Sequence, residues 1–449
     1  MARSQRPARP SRPRPRPADR PGRPRAAESA ADATRLEPVL DPAGRVLLDG
    51  LGDVSGQDPL ALSSRLRAAG HDADTVAAAL TQAGLRHAGR AKLGALADGM
   101  LLTRDGLEQA TRAVVAEHRA RRLQEAGVRS LADLGCGIGA DALVYARAGL
   151  DVTAVERDPT VAAAAAANLA TLAPAGAASV VTGDAEAWAA AHADEVDALW
   201  LDPARRRLGS SGTARVFDPE AFSPPLSFVL GLADGGRPVG VKLGPGLPHE
   251  HVPAAAEAEW VSVDGDVVEV TLWFGPLAQA PGRRTATLLD TRGSAVHRLV
   301  PAAASSPAVE AVGEEGVDGL VGQVLLEPDG AVIRAGLVTD LAVELGPAVR
   351  LLDPHLAYLV APDAAPHPLA RGYRVLAVHE FRTKALARWA RETGVGRLDV
   401  KKRGVRETPE QVRAAVLGRG TPGGRHATLV LARVGERRVA FEVEPLPAG

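Results

Sequence analysis

The sequence is poor in aromatic residues and has a single cysteine. Phe, Trp and Tyr make up 3% of the 449 residues, whereas hydrophobic residues as a whole make up 46%. The cores must therefore be built mainly from Ala, Val and Leu. The lone Cys136 excludes an intramolecular disulfide and any CxxC-type metal site.

Long hydrophobic runs are also missing. The most apolar stretch, residues 161–178, is mostly alanine and is interrupted by Asn168 and Pro174. No segment is typical of a membrane span, and the first residues lack the apolar region of a signal peptide. We therefore expect a cytoplasmic protein without membrane contact, and its length predicts two or three domains.

Lysine is scarce, with five residues against forty-eight arginines. This bias is typical of a GC-rich genome, so arginine content alone does not indicate nucleic-acid binding. The charges are nevertheless clustered: residues 1–25 hold nine Arg and one Asp, and residues 371–440 hold seventeen Lys or Arg and six Asp or Glu. The remainder is acidic, so the clustering favours a polyanionic partner for the basic C-terminal region.

Composition and periodicity divide the chain into five segments. Residues 1–29 form an Arg/Pro-rich tail that we expect to be disordered; we favour a solvated tail over a phosphate-binding arm. Residues 30–127 predict a helical N-terminal module that ends in one long helix from about residue 103. Residues 128–290 alternate strand and helix, residues 291–370 are an intermediate segment, and residues 371–449 form a small basic α+β domain.

The α/β segment predicts a mainly parallel sheet that ends in a reversed hairpin at Asp264-Gly265. A strand-like piece at 283–290 either extends this sheet or leads to the next domain. In the intermediate segment, the turn Pro328-Asp329-Gly330 predicts a helix directly after it. In the last domain, Thr408 with Glu410 behind it predicts a helix N-terminus.

The loop DLGCGIGAD, residues 133–141, joins a strand end to a helix start. Glycines at this place let the backbone approach a ligand, and the helix N-terminus offers free N–H groups. The spacing is GxGxG with an acidic residue before it, which argues against a dinucleotide and suits a cationic or zwitterionic ligand. Glu156, after the second strand, is placed to bind a ribose diol, and Asp184, after the third, to contact an adenine amino group.

The four motifs LADLGCGIGADAL, VTAVERDP, TGDAEAW and WLDPARR resemble, in this order, the class I S-adenosylmethionine-dependent methyltransferases. The resemblance implies a Rossmann-like seven-stranded sheet with a reversed terminal hairpin and S-adenosylmethionine as cofactor. It assigns the ribose to Glu156 and the adenine to Asp184, and treats Cys136 as a packing residue. It also implies that the loop side of the cofactor is lined by Asp133, Gly135, Gly137, Gly139 and Asp141.

The whole chain is similar to bacterial methyltransferases that carry a C-terminal THUMP-like domain. The stretches that carry this second resemblance are GLEQATRAVVAEHRA, LDPARR, LEPDGAVIRAG and LDVKKRG. It implies RNA modification, with structured RNA such as tRNA or rRNA as the partner. The leading RNA contacts in that domain are Lys401, Lys402 and Arg403, although a strand would point alternate residues to opposite faces.

The stretch DALWLDPARRRLG places Asp202 at the end of the fourth strand, beside the expected cofactor. Its carboxylate or carbonyl can accept a hydrogen bond from an N–H nucleophile, and Pro203 shapes the turn. Exocyclic-amine methylases have an aromatic residue where Arg205 stands here, and 5-methyluridine methylases need a cysteine that is missing. A ring or amino nitrogen is therefore the preferred acceptor.

Three further cations have two readings each. Arg205 and Arg206 either hold phosphates and stack on a base, or begin a solvated helix. Lys242, at the end of the fifth strand, either reaches a phosphate or the active site, or is simply exposed. His249 and His251 are too few ligands for a metal, so we expect no metal site.

The sequence thus predicts an S-adenosylmethionine-dependent methyltransferase that methylates a nitrogen of an RNA base. Two alternatives stay open: a methyltransferase for a small molecule or a protein, and a non-catalytic protein that binds the cofactor or RNA. The sequence does not specify an oligomeric state.

Overall fold

The computed structural model describes residues 36–205, 219–303, 306–363, 366–418 and 423–447. Contacts divide the chain into two compact units, Met1–Gly84 and Leu85–Gly449. None of the helices in these described ranges is both long and apolar enough to cross a membrane.

The smaller unit is helical in its described part. It contains α1 (Pro42–Leu51), α2 (Pro59–Ala68) and the beginning of α3 (Ala73–Leu93). The side chains of Asp41 and Asp58 each accept a 2.9 Å hydrogen bond from a backbone N–H in the first turn, and a proline follows each of them. These are favourable helix starts, because the aspartate satisfies a free N–H and proline is preset for the first helical position.

The larger unit is built on a nine-stranded sheet with the order β3-β2-β1-β4-β7-β9-β8-β10-β11. Strand β9 is antiparallel to both of its neighbours, β10 is parallel to β8, and β11 is antiparallel to β10. The strands of this sheet are β1 (Ser130–Leu134), β2 (Asp151–Glu156), β3 (Ala178–Thr182), β4 (Ala198–Leu201), β7 (Val239–Leu243), β8 (Glu257–Val263), β9 (Asp266–Phe274), β10 (Arg284–Leu289) and β11 (Ala295–Leu299). A separate two-stranded ribbon pairs β5 (Ala204–Arg205) with β6 (Phe222–Ser223).

Helices accompany the strands of this unit. They are α4 (Arg104–Gln109), α5 (Ala113–Glu125), α6 (Ala140–Arg147), α7 (Pro159–Leu172), α8 (Ala185–His192) and α9 (Leu226–Ala233). All four residues of β4 are buried, as expected for a central parallel strand covered on both faces. Three of the few aromatic residues meet here: the Trp200 ring lies 5.7 Å from Trp273 and 6.1 Å from Tyr145, between ring centroids. A Cβ at Gly240 would lie 2.7 Å from Trp200, so this position in β7 requires glycine.

The predicted mixed α/β sheet with a reversed hairpin at Asp264-Gly265 is confirmed, but the sheet has nine strands instead of seven. Strands β10 and β11 extend it, because β10 pairs with β8 and β11 pairs with β10. The predicted long helix is also divided. Ala110 and Arg112 have extended backbone angles between α4 and α5, so the helix breaks around Thr111.

The second sheet of this unit has seven strands in the order β13-β14-β12-β15-β18-β17-β16. Its strands are β12 (Val324–Pro328), β13 (Arg350–Asp353), β14 (Leu356–Ala361), β15 (Ala370–Glu380), β16 (Val395–Arg403), β17 (Arg425–Val434) and β18 (Arg437–Pro445). Helices α13 (Thr383–Glu392) and α14 (Pro409–Leu417) pack on one face through Leu386 and Val412. Thr408 caps α14 as predicted, but its partner in the capping box is Gln411 and not Glu410.

The segment before this basic region takes part in both sheets. It contributes β12, β13 and β14 to the second sheet, and it also contains α10 (Gly313–Gly316), α11 (Gly330–Ala335) and α12 (Val338–Leu345). Asp329 begins α11 as the predicted turn requires, and its Oδ1 accepts 2.7 Å hydrogen bonds from Ala331 N and from Ser262 Oγ in β8. The LEPDG motif therefore joins the two sheets.

Candidate active site

The glycine-rich loop leaves β1 and enters α6 with three glycines in the left-handed region. Gly135, Gly137 and Gly139 have φ values of 89°, 57° and 76°. Gly135 N and Cys136 N both donate to Val155 O of β2, at 2.8 and 3.0 Å. The loop is thus fixed from below by the neighbouring strand, and its backbone follows a path that other residues adopt only with strain.

Asp133 precedes this loop and is 1% exposed. Burial, together with the nearby carboxylates of Asp141 and Asp202, raises the pKa of Asp133 well above its usual value. Its Oδ2 atom makes no hydrogen bond within the described residues. Burial therefore favours the protonated, neutral form of Asp133 beneath the loop.

Two other predicted cofactor residues stand at strand ends beside the loop. Glu156 ends β2 and accepts hydrogen bonds from Gly137 N at 3.1 Å and from Asp158 N at 2.9 Å. Asp184 follows β3 and caps α8, with Oδ1 accepting from Glu186 N and Ala187 N at 3.0 Å each. Both side chains are held at the carboxyl edge of the sheet, where open α/β sheets bind their ligands.

The loop borders open space that is available to a cofactor. A Cβ at Gly137 would meet no atom within 4 Å, and a Cβ at Gly135 would come near only the Asp202 carbonyl oxygen, at 4.0 Å. The backbone can therefore approach a ligand between β1 and β4. The free N–H groups at the start of α6 and the carboxylate of Glu156 fit the amino-acid and ribose parts of S-adenosylmethionine.

Asp202 lies across this space and is held by a lysine. Lys242 Nζ, at the end of β7, donates to Asp202 Oδ2 and to Thr111 Oγ1, the latter at 3.1 Å. The side chains of Asp202 and Lys242 are 33% and 16% exposed. Although burial favours the neutral amine, the carboxylates of Asp202 and Asp141 outweigh it and raise the pKa of Lys242. Lys242 is therefore a cation, and the acceptor at this site is Asp202.

A second layer of charge lies behind this pair. Thr111 Oγ1 donates to Asp141 Oδ2 at 3.4 Å, and Asp141 forms an ion pair with Arg119 at 3.0 Å. Arg119 is fully buried, lies 4.4 Å from the Trp200 ring centroid, and has Glu269 at 3.7 Å. Asp141 is therefore paired with Arg119, and it lines the site from behind the loop.

The structure places Lys242 beside Asp202 at the candidate active site, which is one of the positions that the sequence left open for it. The sequence places it at a strand end, and a strand-end lysine is most often exposed. Only the pairing of β4 with β7 brings it beside Asp202, since Leu201 is opposite Val241. Thr111 is brought to the same site by the helix break, whereas Gln109 is exposed at the end of α4.

The remaining residues of LDPARR are described in part. Pro203 is buried next to Asp202, and Arg205 lies in β5 with its backbone opposite Phe222. Arg206 lies outside the described residues. Pro203 and Arg205 closely follow Asp202 in the chain, and their catalytic roles stay predictions.

The three predicted RNA contacts of β16 have partners inside the domain. Lys401 Nζ donates to Glu327 Oε2 at 2.6 Å and lies 5.2 Å from the Tyr373 ring centroid. Arg403 is 3.8 Å from Glu327 and stacks on Tyr358 at 5.3 Å. Lys402 points to the other face and donates to the carbonyls of Val405 and Arg406. Neutralising these residues would therefore disturb internal contacts as well as any RNA contact.

One cluster in the described ranges has the residue types of a metal site: His297, Glu344 and His367. Glu344 Oε1 lies 2.7 Å from His297 Nε2 and 3.2 Å from His367 Nε2. However, His367 Nδ1 accepts a hydrogen bond from Leu369 N at 3.2 Å, which puts the ring proton on Nε2. That atom has no lone pair for a metal, so we assign the cluster to hydrogen bonding.

Comparison with known proteins gives two family matches. The THUMP domain-like family matches residues 370–445, and a domain of unknown function, DUF8688, matches residues 32–91. The first match covers β15 to β18 with α13 and α14, which is the basic region of the sequence.

Three relatives match most of the chain. Proteins from two Mycobacterium tuberculosis strains, CDC 1551 and H37Rv, are each described as an uncharacterized S-adenosylmethionine-dependent methyltransferase. Each is 33% identical over 364 residues, which is 78% of this chain and 91% of the relative. A crystal structure of a candidate methyltransferase from Porphyromonas gingivalis W83 has a TM-score of 0.65 at 20% identity and covers 84% of this chain and 92% of its own. This last likeness shows a shared fold.

Proposed function

Because this chain belongs to the S-adenosylmethionine-dependent methyltransferases, we propose that it methylates a nitrogen of an RNA base beside Asp202. The observation that carries the proposal is the ion pair of Asp202 and Lys242, which faces the glycine-rich loop across open space. The THUMP-like match and the basic charge of the same region support RNA as the substrate.

The cofactor residues have separate roles in this proposal. Gly135, Gly137 and Gly139 admit the amino-acid part close to the backbone, Glu156 accepts the ribose hydroxyls, and Asp184 contacts the adenine. S-adenosylmethionine supplies an electrophilic methyl group on a sulfonium. A neutral Asp133 beneath the loop avoids placing an extra buried negative charge behind the glycines.

Asp202 orients the nucleophile and manages its proton. Its carboxylate would accept the N–H hydrogen bond of the base, so that the nitrogen lone pair is aimed at the methyl group. It would take the proton as the N–C bond replaces the methyl–sulfur bond, with the sulfur leaving as a neutral thioether. Lys242 cannot serve as the base, because it is already a cation. Its role is to balance the negative charge of the Asp202 carboxylate and to fix that carboxylate in one direction.

The position of Cys136 supports nitrogen over carbon as the acceptor. Its Sγ atom lies in the cofactor loop, 3.6 Å from Gly137 O, and burial raises the pKa of the thiol well above its usual value. A protonated thiol in the loop is a poor nucleophile for attack on a pyrimidine ring. The chain has no other cysteine to replace it.

The test compares methylated nucleosides in total RNA from a strain that lacks the gene and from its parent, by mass spectrometry. We expect one methylated nucleoside to disappear, to return with the wild-type gene, and to stay absent with Asp202→Asn. If the two RNA pools are identical, the RNA proposal is overturned, and a small molecule or protein becomes the substrate to seek.

A further inference from the structure

A basic groove of about 670 Å³ runs beside α5 in the larger unit. Its walls come from the end of α3, the length of α5 and the end of α6, and Val263 and Thr291 also line it. The volume is within the range of ligand-binding clefts. We define the basic groove by its five cations: Arg90, Lys92, Arg112, Arg121 and Arg147.

Three of these cations form hydrogen bonds with carbonyls and no ion pair among the described residues. Lys92 Nζ donates to the carbonyls of Leu107 and Glu108 at 3.0 and 2.6 Å. Arg121 donates to Gly293 O, and Arg147 donates to Leu172 O at 3.1 Å. A carbonyl fixes the direction of a cationic side chain without neutralising it, so the groove stays positive.

The other two cations lie beside exposed carboxylates. Arg90 lies 2.7 Å from Asp98, which is 50% exposed, and Arg112 lies 3.4 Å from Asp266, which is 79% exposed. Exposed pairs of this kind contribute little and exchange readily with another anion. Among the described residues that line the groove, Glu117 is the one carboxylate.

The groove reverses the local charge of the chain. Residues 26–370 carry more acidic than basic residues overall, yet five cations and one carboxylate meet here. Chance placement on an acidic surface would put carboxylates among them. Apolar residues such as Leu96 and Val114 lie between the cations, so a ligand with both anionic and flat apolar parts fits better than a simple ion.

One end of the groove adjoins the active site. Arg112 directly follows Thr111, whose Oγ1 is 3.1 Å from Lys242 Nζ. Burial lowers the pKa of Lys92, and the positive charges of Lys242 and Arg112 lower it further. These three cations therefore interact electrostatically. A polyanion that covers the groove would therefore lead directly to Asp202.

We infer that the basic groove binds the phosphates of the RNA strand that carries the target base. This inference rests on the proposed function and assigns part of RNA docking to the methyltransferase domain, separately from β16. Lys92, Arg121 and Arg147 contact successive phosphates, and the apolar residues between them face riboses or bases. The strand is thereby aligned with Asp202 before the base enters the site.

The test measures binding of unfractionated bacterial tRNA by the full chain between about 50 and 200 mM KCl. The variant Arg121→Gln/Arg147→Gln removes two exposed cations that bond only carbonyls. We expect weaker binding, and a slope of log K against log salt that is smaller by about 1 for each arginine. The matched control is Arg65→Gln/Arg67→Gln, which removes the same charge from α2, outside the groove, and should leave the slope unchanged.

Three outcomes separate the claims. A groove variant whose salt slope equals that of the wild type overturns the inference while RNA binding itself stands. Wild-type protein that binds no tRNA overturns the proposed RNA function and the groove with it. If the double variant misfolds, Arg121→Lys/Arg147→Lys decides: the inference requires that it keeps the wild-type slope, and a reduced slope would show that charge is not what the RNA reads.

Discussion

Two buried arginines on α5, three residues apart, have similar surroundings and opposite roles. Arg119 lies 4.4 Å from the Trp200 ring centroid, and Arg122 lies 4.6 Å from the Trp273 ring centroid. Each has two acidic partners, Asp141 and Glu269 for the first, Glu257 and Glu259 for the second. The same helix thus carries a cation toward the loop side and another toward β8.

Their hydrogen bonds differ. Arg122 donates to Leu277 O and to both carboxylates, and Glu259 is further bonded by Trp273 Nε1 at 2.9 Å and by His118 Nε2 at 3.0 Å. In contrast, NH1 and NH2 of Arg119 make no hydrogen bond within the described residues, and its Nε reaches Val115 O only at 3.5 Å. Every guanidinium nitrogen of Arg122 is thus hydrogen-bonded, whereas two guanidinium nitrogens of Arg119 are not, within the described residues.

The difference indicates what each cluster does. A completely hydrogen-bonded buried network rigidifies the fold, whereas incomplete satisfaction is tolerated at functional sites. The cluster of Arg122 therefore anchors α5 to β8 and β9. The cluster of Arg119 sets the electrostatic field behind Asp202, since Asp141 connects it through Thr111 to Lys242.

The largest expected effect on stability comes from replacing one glutamate by glutamine in each cluster. Glu259→Gln removes a buried charge that holds Arg122, so we expect the free energy of unfolding to fall by about 3–5 kcal/mol. Glu269→Gln, whose nearest Arg119 atom is 3.7 Å away, should cost about 1–2 kcal/mol. Urea unfolding of both variants measures the difference, and equal losses would contradict the distinction between the clusters.

The buried Glu259 also predicts a loss of stability at acid pH. Although burial opposes ionisation, the charge of His118 and its hydrogen bond, with Arg122, hold the pKa of Glu259 well below its usual value. Its contribution to stability is therefore present above its unfolded pKa of about 4.5 and is lost as pH falls below it. Unfolding at pH 3 to 7 should show a smaller acid loss in Glu259→Gln than in the wild type.

A smaller effect is expected from Lys242→Met, which leaves the Asp202 carboxylate without its cation. We expect methyl transfer to fall about 100-fold, with cofactor affinity nearly unchanged. Lys242→Arg keeps the charge and should recover part of the activity. The measurement is incorporation of labelled methyl into RNA from the strain that lacks the gene; a parallel loss in both variants would show that shape and not charge matters.

The smallest effect is expected from Asp133→Asn. The raised pKa means that native Asp133 keeps its proton while the unfolded chain releases it, so wild-type stability falls as pH rises above about 4. Asp133→Asn should flatten this slope in urea unfolding measured above about pH 4, and an unchanged slope would show that the pKa of Asp133 is not raised in the fold.

Local patterns predicted the elements well where the signal lies in consecutive residues. The glycine loop, Glu156 at the end of β2, the hairpin at Asp264-Gly265 and the turn at Asp329 are each encoded in a few neighbouring residues. The break at Thr111 was missed, because it depends on partners far along the chain, namely Asp141 and Lys242. Helical periodicity in the sequence carries no information about such a long-range contact.

The surroundings of two candidate site residues could not be predicted for the same reason. Lys242 and Lys401 are both strand lysines, and their surroundings differ only through pairing with distant residues, Asp202 in one case and Glu327 in the other. The basic groove was not predicted either, since its cations come from three helices and none of them forms a charge run. A cluster of charges that forms only in three dimensions can be identified only from the fold, whereas a run of charges can be identified from the sequence alone.

The most direct test of the account compares Asp202→Asn with the wild type in two assays on one preparation. Calorimetry measures the affinity for S-adenosylmethionine, and labelled methyl transfer measures activity on RNA from the strain that lacks the gene. We predict an affinity within about twofold of the wild type and a transfer rate lowered at least about 100-fold. Full transfer by Asp202→Asn, or a loss of rate that only follows a loss of cofactor affinity, would contradict the role given to Asp202.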